Sequence, residues 1–395
     1  MRLLAGATIG PLGQESHIGG SRQEGGDLQA LRGHNRGSIL KILLRSPGGR
    51  SISSLHLATS LSRPTVELAL TDLIAAGLVE EIELSASTSR GGRRARQFAV
   101  ATELGLVAGA VIGIERVEVV ISDLFGNIVA RSEQMHASGE DSHGQVKLMV
   151  DELMQSPEIM GRKLNFVTVG VIGYTDPSGR VHRSTGIDTT TTQEFQSIVS
   201  GDFGCPVVIE NDANLAATAE YTQLARPEIR DMIGLHADVA VGCGLIIDGK
   251  LHRGFGGTAG ELGFHRQLGW NDTDCAIRET AAQHEVTVRE LYRQAGLGTP
   301  WAEQVTNQYA LAIAPGLLAM VLTINPQMVI IGGSICDAGE AFRGPLEKFI
   351  SDHAPSAPEI VFSELGRDCI ALGALIRSLN HMRQLLEDRA YSDQH

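Results

Sequence analysis

The sequence predicts an α/β protein in which a small, mainly helical N-terminal module precedes a body of two lobes. Within residues 34–100, apolar residues follow helical spacing between turn-forming breakers, and two extended segments come last. From residue 106 onward, short β-branched runs alternate with helical segments, which is typical of a sheet covered by helices. A length of 395 residues, of which 43% are hydrophobic, is enough for two or three packed domains.

Charge is distributed unevenly between these two parts. The whole chain has a formal net charge of -13, but residues 34–98 contain 9 Lys and Arg against 5 Asp and Glu, which is +4 and leaves -17 for the remainder. A basic module on an acidic body attracts a polyanion to one end only. The distribution therefore favours nucleic-acid binding by the N-terminal module.

Features of an exported or membrane protein are not evident in the sequence. The longest apolar run, residues 310–324, is interrupted by Pro315 and Gly316 and is shorter than the ~20 residues that a membrane-spanning helix needs. Residues 1–13 are too short and too rich in glycine for a secretory signal. The five cysteines are far apart, which argues against a metal knuckle or a disulfide framework. We therefore expect a cytoplasmic protein with no membrane partner.

The N-terminal module begins after a predicted flexible tail. Residues 1–33 are rich in Gly, Ser, Gln and Arg and lack apolar periodicity, which is typical of such a tail. Residues 39–43 predict a short helix that ends at the breakers in residues 46–49. A second helix follows, with Ser51 or Ser53 as its N-cap.

A third helix is marked at both ends. Ser62 is its predicted N-cap, Pro64 suits its first turn, and Gly77 ends it in a left-handed conformation. One face of this helix is predicted to hold Val66, Leu70, Leu73 and Ile74. Helix, short turn and helix therefore follow one another.

Residues 78–84 and 90–100 predict two extended segments around a basic tip, which together form a wing. Residues 34–100 thus predict a winged helix-turn-helix, in which the exposed start of the third helix enters the major groove of DNA. Arg63 is the candidate for reading a guanine through its two-pronged guanidinium group. The wing arginines suit the minor groove or phosphates, with a solvated basic loop as the alternative. The candidate DNA-contacting residues are Ser62, Arg63, Thr65, Glu67, Arg90, Arg93, Arg94 and Arg96.

The body, residues 101–395, predicts two α/β lobes with a ligand cleft between them. The predicted strands are residues 106–111, 117–122, 166–171, 207–209, 239–247, 250–251 and 328–331. Residues 123–127 and Asp248-Gly249 predict hairpin turns. Predicted helices cover residues 305–324 and 371–386.

Four segments of the body resemble, in the correct order, the signatures of the ROK family, named for repressors, open reading frames and kinases. These segments are IENDANLAA at 209–217, GKLHRG at 249–254, GELG at 260–263 and NPQMVIIGG at 325–333. The resemblance covers residues 34–388 and implies a two-lobed sugar-kinase and actin-like fold of the ribonuclease H-like type. The N-terminal module looks like that of the regulator branch, through residues 61–66 and 90–93.

The resemblance implies a sugar site between the lobes. Asp212 matches the catalytic carboxylate of the kinases, Asn211 a neighbouring sugar contact, and Glu261 and Glu279 further contacts. Turn chemistry at a strand end is the alternative for Asn211 and Asp212. A solvated helix face is the alternative for Glu279.

The phosphate loops of the kinases are altered here. Their Asp-x-Gly-Gly-Thr turn corresponds to residues 111–115, VIGIE, and their Gly-Thr-Gly loop corresponds to Asp238-Val239-Ala240. A carboxylate at this loop repels a polyanion. Gly242 and Gly244 remain, and close packing is their alternative role. We therefore expect no ATP binding and no enzymatic activity, with Asp212 as a vestigial base.

The zinc site of the family is also incomplete. Phe264 stands where a His ligand is expected, His265 is one place later, and only Cys275 remains of the cysteine cluster. One thiol and a displaced His do not complete a tetrahedral zinc site. We therefore expect no metal and no other cofactor.

These observations lead to the hypothesis of a sugar-responsive transcriptional regulator, a repressor that binds a double-stranded DNA operator as a homodimer or homotetramer. A single helix-turn-helix reads too few base pairs to compete with the rest of a genome. A sugar or sugar derivative between the lobes is expected to change lobe closure, and residues 99–104 to transmit that change to the DNA-binding module. The body thus serves as sensor and oligomerisation domain. The alternatives are an active sugar kinase with a DNA-binding head and a ligand-independent DNA-binding protein with a scaffold body.

Overall fold

The computed structural model describes residues 24–82, 96–114, 116–135, 142–176, 179–184 and 195–392. The tip of the predicted wing, with Arg90, Arg93 and Arg94, lies outside the described residues.

The N-terminal module consists, in its described part, of three helices and a three-stranded antiparallel sheet. These elements are α1 (Glu24–Leu43), β1 (Arg50–Ser51), α2 (Ile52–Thr59), α3 (Arg63–Ala75), β2 (Val79–Ile82) and β3 (Gln97–Val100), with strand order β1-β3-β2. Ser51 and Ser62 cap α2 and α3, since their hydroxyl oxygens accept from the amides of Ser54 at 3.2 Å and Thr65 at 3.3 Å. Gly77 follows α3 with a φ of 67°. The arrangement is that of a winged helix-turn-helix, as predicted.

Two details of the module differ from the prediction. Helix α1 begins at Glu24, so a flexible tail through residue 33 is wrong for its last part. Arg32, in this added part of α1, donates to Asp72 of α3 at 3.3 Å, a contact between residues far apart in the sequence. Ile74 is 39% exposed, although it was predicted on the buried face of α3. It lies about 100° around the helix from Leu73, which is fully buried.

The first lobe contains a five-stranded sheet in the order β10-β7-β4-β5-β6. Its strands are β4 (Leu106–Ile112), β5 (Arg116–Asp123), β6 (Ile128–Met135), β7 (Leu164–Val171) and β10 (Val207–Asn211). Strands β4, β5 and β6 form an antiparallel meander, while β7 and β10 run parallel to β4. Helices α4 (Ser142–Met154) and α5 (Phe195–Phe203) pack on one face, and a short hairpin of β8 (Gly173–Thr175) and β9 (Val181–Ser184) follows β7.

The second lobe has its own five-stranded sheet, in the order β13-β12-β11-β14-β15. Its strands are β11 (Met232–Ala237), β12 (Val241–Ile247), β13 (Lys250–Leu251), β14 (Met328–Gly332) and β15 (Glu359–Phe362). One face is covered by α7 (Trp270–Gln283), α8 (Val288–Gly296), α9 (Pro300–Ile324) and α10 (Glu340–His353). Helix α9 is the one helix in the described part of the chain with the length and apolar composition to cross a membrane. Its residues Tyr309, Ile313 and Leu317 are buried in the core of this lobe.

Helix α6 (Asp212–Leu224) lies against the other face of the second sheet. An added Cβ on Gly244 would lie 2.5 Å from the Cβ of Ala217, and one on Gly242 would lie 2.9 Å from the Cβ of Ala213. Neither position has room for a side chain. The two glycines of β12 therefore serve close packing of α6 on the sheet.

Helix α11 (Cys369–Tyr391) connects all three parts of the molecule. At its start, the thiol of Cys369 lies 3.4 Å from Nδ1 of His236 in the second lobe. Along its length it packs on the first sheet, and near its end the carbonyl of Ala390 accepts from Nε of Arg36 in α1 at 2.8 Å. One continuous hydrophobic cluster includes Leu40 of α1 and Leu386 of α11, so the module shares its core with the body.

Candidate functional site

The predicted sugar residues meet where β10 ends and α6 begins. Asn211 is the N-cap of α6, because its Oδ1 accepts from the amide of Asn214 at 2.8 Å. Its amide nitrogen Nδ2 lies 3.2 Å from Oδ1 of Asp212 and 3.3 Å from Oε1 of Glu261, which belongs to the second lobe. The same nitrogen donates to the carbonyl of Gly173 at 2.8 Å. Asn211 thus has a turn role and also points its amide at two carboxyl groups.

We call Asp212 and Glu261 the carboxyl pair. Burial raises the pKa of Asp212 to about 6, an effect that the positive charge of His236 partly offsets. Burial and the nearby Asp212 carboxylate raise the pKa of Glu261 to about 7. Near neutral pH, the two groups of the pair are therefore ionised to a smaller extent than exposed acids. A protonated carboxyl group can donate a hydrogen bond as well as accept one.

Among the described residues, no hydrogen bond or ion pair connects Glu279 to the carboxyl pair. It lies exposed on α7. Its role at the ligand stays a prediction.

An ion-pair cluster that was not predicted from the sequence lies directly behind Asn211. The buried carboxylate of Glu210 accepts from Arg253 at 2.6 Å and lies 3.4 Å from Nη1 of Arg377 on α11. Arg253 belongs to the GKLHRG segment that carries part of the family resemblance, but no sequence signal marks Arg377. The cluster links the strand that carries Asn211 to the second lobe and to α11.

Three aromatic rings also join the lobes, and we call Tyr174, His182 and Phe264 the aromatic bridge. The rings of Tyr174 and His182 are stacked with centroids 5.2 Å apart, and Phe264 meets Tyr174 edge-on at 5.7 Å. Nε2 of His182 lies 2.7 Å from a carboxylate oxygen of Asp176, which holds the imidazole in place. Tyr174 and His182 belong to the β8–β9 hairpin, whereas Phe264 follows Glu261 in the second lobe.

The loop that corresponds to the kinases' Gly-Thr-Gly loop contains a carboxylate of its own, that of Asp238. Oδ1 of Asp238 accepts from the amide of Ser334 at 2.6 Å, and Oδ2 lies 3.1 Å from Nε2 of His236. Burial alone would raise the pKa of Asp238, but these two contacts lower it. Helix α7 holds the rest of the loop, since Asp274 accepts from the amide of Val241 at 3.1 Å.

The residues that remain of the zinc cluster lie near α7. Cys275 is exposed, and a guanidinium nitrogen of Arg278 lies 3.2 Å from its sulfur. His265 is exposed at the end of the turn that contains Phe264. Across the described ranges, no group of three or more His, Cys, Asp or Glu side chains is placed to hold a metal ion. The absence of zinc stays a prediction.

The predicted DNA-contacting residues lie at the start of α3. Ser62, Arg63 and Glu67 are exposed, and Thr65 is half-buried, with its hydroxyl oxygen 2.7 Å from that of Ser62. Arg96 is exposed at the base of the wing and forms an ion pair with Glu81 at 2.7 Å. The start of α3 is thus open to a partner.

The fold is a two-lobed α/β body of the sugar-kinase type joined to a winged helix-turn-helix module. Residues 107–379 match the ROK family, and the chain belongs to that family.

Relatives that resemble this chain over nearly its whole length carry the name xylose repressor. The protein of that name from Caldicellulosiruptor bescii is 26% identical over 399 residues, covering 90% of this chain and 98% of its own. The one from Bacillus subtilis is 23% identical and covers 89% and 96%.

Solved structures show the same fold. A ROK family transcriptional regulator, described as a homologue of the E. coli MLC protein, aligns with a TM-score of 0.63 at 16% identity and covers 92% of this chain and 99% of its own. A ROK family glucokinase from Streptomyces griseus, in complex with glucose and AMPPNP, aligns with a TM-score of 0.57 at 22% identity, covering 69% of this chain and 99% of its own.

Proposed function

We propose that the protein is a transcriptional repressor of carbohydrate-related genes, whose affinity for its DNA operator changes when a sugar or sugar derivative binds between the two lobes. The observation that carries this proposal is the combination of an exposed α3 start with the cluster of Asn211, Asp212 and Glu261 between the lobes. The xylose repressors support it, since they match this chain over 90% and 89% of its length.

The DNA-binding surface comprises the start of α3 and the wing. The N-terminal turn of the second helix in a helix-turn-helix faces the base edges of the major groove. Arg63 is exposed at this turn and can bind a guanine with two hydrogen bonds. We assign a homodimer or homotetramer on a palindromic operator, acting in the cytoplasm, because one such module reads only a short half-site.

The body senses its ligand and does not phosphorylate it. A nucleotide phosphate requires free backbone amides, but Asp238 already accepts from the amide of Ser334. The residues present do not fit ATP, because a phosphate here would meet the Asp238 carboxylate. Asp212 serves as a ligand contact in a site without a phosphoryl donor.

The coupling between cleft and module has two routes. The predicted one is the linker of residues 99–104, in which Thr102 donates its amide to Glu80 of the wing at 3.0 Å and Leu104 accepts from Asn165 of the first lobe. The second route is α11, which was not predicted from the sequence. Arg377 of this helix pairs with Glu210 beside Asn211, and the end of the helix packs on α1. Both routes connect lobe closure to the position of the DNA-binding module.

Fluorescence anisotropy of the full-length protein on the DNA upstream of its own gene tests the proposal. Binding is measured at two salt concentrations, with and without a panel of sugars. We expect tight binding that weakens with salt, because binding releases counterions from the DNA and that release becomes less favourable as the salt concentration rises. One sugar of the panel should change the affinity.

A matched pair of variants locates the interface. Arg63→Ala should weaken operator binding by about 10- to 100-fold, since a two-pronged base contact contributes about 1–3 kcal/mol. Arg289→Ala removes an exposed arginine of the body, on α8, and should leave binding unchanged. Absence of specific binding by the wild-type protein would contradict the repressor function. Binding that no sugar changes would favour a scaffold role for the body, and phosphorylation of a sugar by ATP would show that the protein is a kinase.

A further inference from the structure

Helix α3 has an apolar surface that points away from the core of the N-terminal module. We call this surface the outer face of α3, and it comprises Pro64, Leu68, Thr71 and Ala75. All four residues are exposed, Leu68 to 49%. At about 100° per residue, they lie within about 60° of one another and on the side opposite the buried residues of the helix. These buried residues are Val66, Ala69, Leu70 and Leu73.

The side chains of the outer face have no proton to donate to a base. Those of Pro64, Leu68 and Ala75 are hydrocarbon. The hydroxyl of Thr71 donates its one proton to the carbonyl of Glu67, at 2.9 Å within the same helix. The outer face therefore offers a partner mainly apolar surface, with Leu68 as its largest aliphatic side chain.

The charges around this face indicate that its partner is double-stranded DNA. Residues 34–98 have a net charge of +4, and Arg63 is exposed in the first turn of the same helix. The pKa of Arg96 is raised by its hydrogen bond to Glu81 and, less strongly, by the carboxylate of Glu67 on α3, so the base of the wing lies beside this helix. Cations at the rim of the face suit the phosphates, while the face itself lies in the major groove.

The major groove presents one apolar group, the C5 methyl group of thymine, among hydrogen-bond donors and acceptors. An apolar side chain that covers a donor or acceptor deprives it of water without replacing the lost hydrogen bond, which costs free energy. The same side chain against a thymine methyl group removes apolar surface from water, which is favourable. A leucine on the outer face thus favours thymine at the base pair that it covers.

We propose that Leu68 is a specificity-determining residue that reads thymine, through its C5 methyl group, in each half-site of the operator. The inference rests on the proposed function and deepens it, because it names the base that the second turn of α3 recognises. It adds an apolar contact to the guanine contact assigned to Arg63 in the first turn.

Fluorescence anisotropy of the full-length protein tests this inference with three DNA probes. They are the fragment upstream of its own gene, the same fragment made with deoxyuridine in place of thymidine, and a shuffled fragment of the same base composition. Deoxyuridine pairs as thymidine does but lacks the methyl group. We expect the deoxyuridine fragment to bind about tenfold more weakly, since loss of one buried methyl group lowers affinity about fourfold and a dimer reads two half-sites.

Leu68→Ala separates recognition of the methyl group from recognition of DNA shape. Removing thymine methyl groups also changes the shape and stiffness of DNA, and an effect of that kind would persist in the variant. We expect Leu68→Ala to bind the thymidine fragment about tenfold more weakly than the wild type does. It should also distinguish the thymidine fragment from the deoxyuridine fragment by no more than about threefold, because the two changes remove the same contact.

Two further variants serve as controls. Thr71→Val keeps the shape of the side chain and removes its hydroxyl, so it should bind the thymidine fragment within about twofold of the wild type. Leu148→Ala removes a leucine of α4 that is 65% exposed on the first lobe, and it should bind all three probes as the wild type does. Circular dichroism establishes that each variant is folded.

Three results would overturn the inference: equal affinity of the wild type for the thymidine and deoxyuridine fragments, a preference for thymidine that Leu68→Ala retains in full, or wild-type affinity of Leu68→Ala for the thymidine fragment. The shuffled fragment distinguishes these failures from that of the proposed function. A protein that prefers the upstream fragment to the shuffled one but is indifferent to deoxyuridine contradicts only the reading of thymine. A protein without that preference contradicts the repressor function, and the inference with it.

Discussion

Replacing Glu261 by Gln removes a carboxyl group that folding buries beside Asp212. In the folded protein its pKa rises from 4.5 to about 7, because burial and the Asp212 charge disfavour the ionised form. At about 1.4 kcal/mol per pKa unit, this corresponds to at most about 3 kcal/mol of destabilisation when the group is charged. Between pH 4.5 and about pH 7, Glu261 is protonated to a greater extent in the folded state than in the unfolded state. The free energy of unfolding therefore decreases as pH rises through this range. Gln resembles the protonated acid and avoids this loss.

The assay is thermal unfolding of the ligand-free protein at pH 5 and pH 8. Glu261→Gln should melt near the wild-type temperature at pH 5 and about 2–6 °C above it at pH 8, given that about 1 kcal/mol shifts the melting temperature of a large domain by a few degrees. Glu303→Gln is the control, since Glu303 lies exposed in the first turn of α9, and it should show no such difference. A melting temperature of Glu261→Gln at pH 8 that equals or falls below the wild-type value would refute the reasoning.

Three further predictions concern the fold. Gly244→Val should prevent stable packing of α6 on the second sheet, seen as loss of soluble folded protein, because its Cβ would meet Ala217 at 2.5 Å, whereas Gly48→Ala, with open space around it, should be tolerated. Ser62→Ala should destabilise the module by about 1 kcal/mol through loss of the α3 cap, measured by chemical denaturation; an unchanged midpoint would contradict the role of the cap. Leu386→Ala should cost about 2–5 kcal/mol and increase amide hydrogen exchange in α1, since this fully buried side chain belongs to the core shared by module and body; unchanged exchange in α1 would argue against a shared core.

Local signals made much of the fold predictable from the sequence. Ser51, Ser62 and Gly77 mark helix ends through hydrogen bonds and backbone conformations that involve only neighbouring residues. Strands β4, β5, β7, β10, β12, β13 and β14 were predicted to within a few residues, whereas β6, β8, β9, β11 and β15 were not predicted. Residues 24–33 could not be predicted as helix, because their sequence is polar and glycine-rich and their contact with Asp72 is distant in sequence.

The candidate site shows the same division. Asn211, Asp212 and Glu261 were predicted because they belong to two contiguous segments that resemble family signatures, and the structure brings them within hydrogen-bond distance. Tyr174 and Arg377 were missed, since each is recognisable only by partners far away in the sequence. Sequence motifs identify residues that share a short segment, whereas contacts between lobes depend on how the sheets and helices pack.

Helix α11 is the element whose packing ties the cleft to the DNA-binding module. An added Cβ on Gly373 would lie 2.0 Å from the carbonyl oxygen of Leu215 in α6, and one on Gly109 of the first sheet would lie 2.4 Å from the amide nitrogen of Leu375. With backbone this close on two sides, α11 cannot slide independently of α6 or the sheet. A helix of 23 residues is about 35 Å long, so its two ends reach both His236 beside the cleft and α1 of the module. We therefore expect a ligand that changes the position of α6 to change the position of the module as well, because no loose segment of α11 lies between them to absorb the movement.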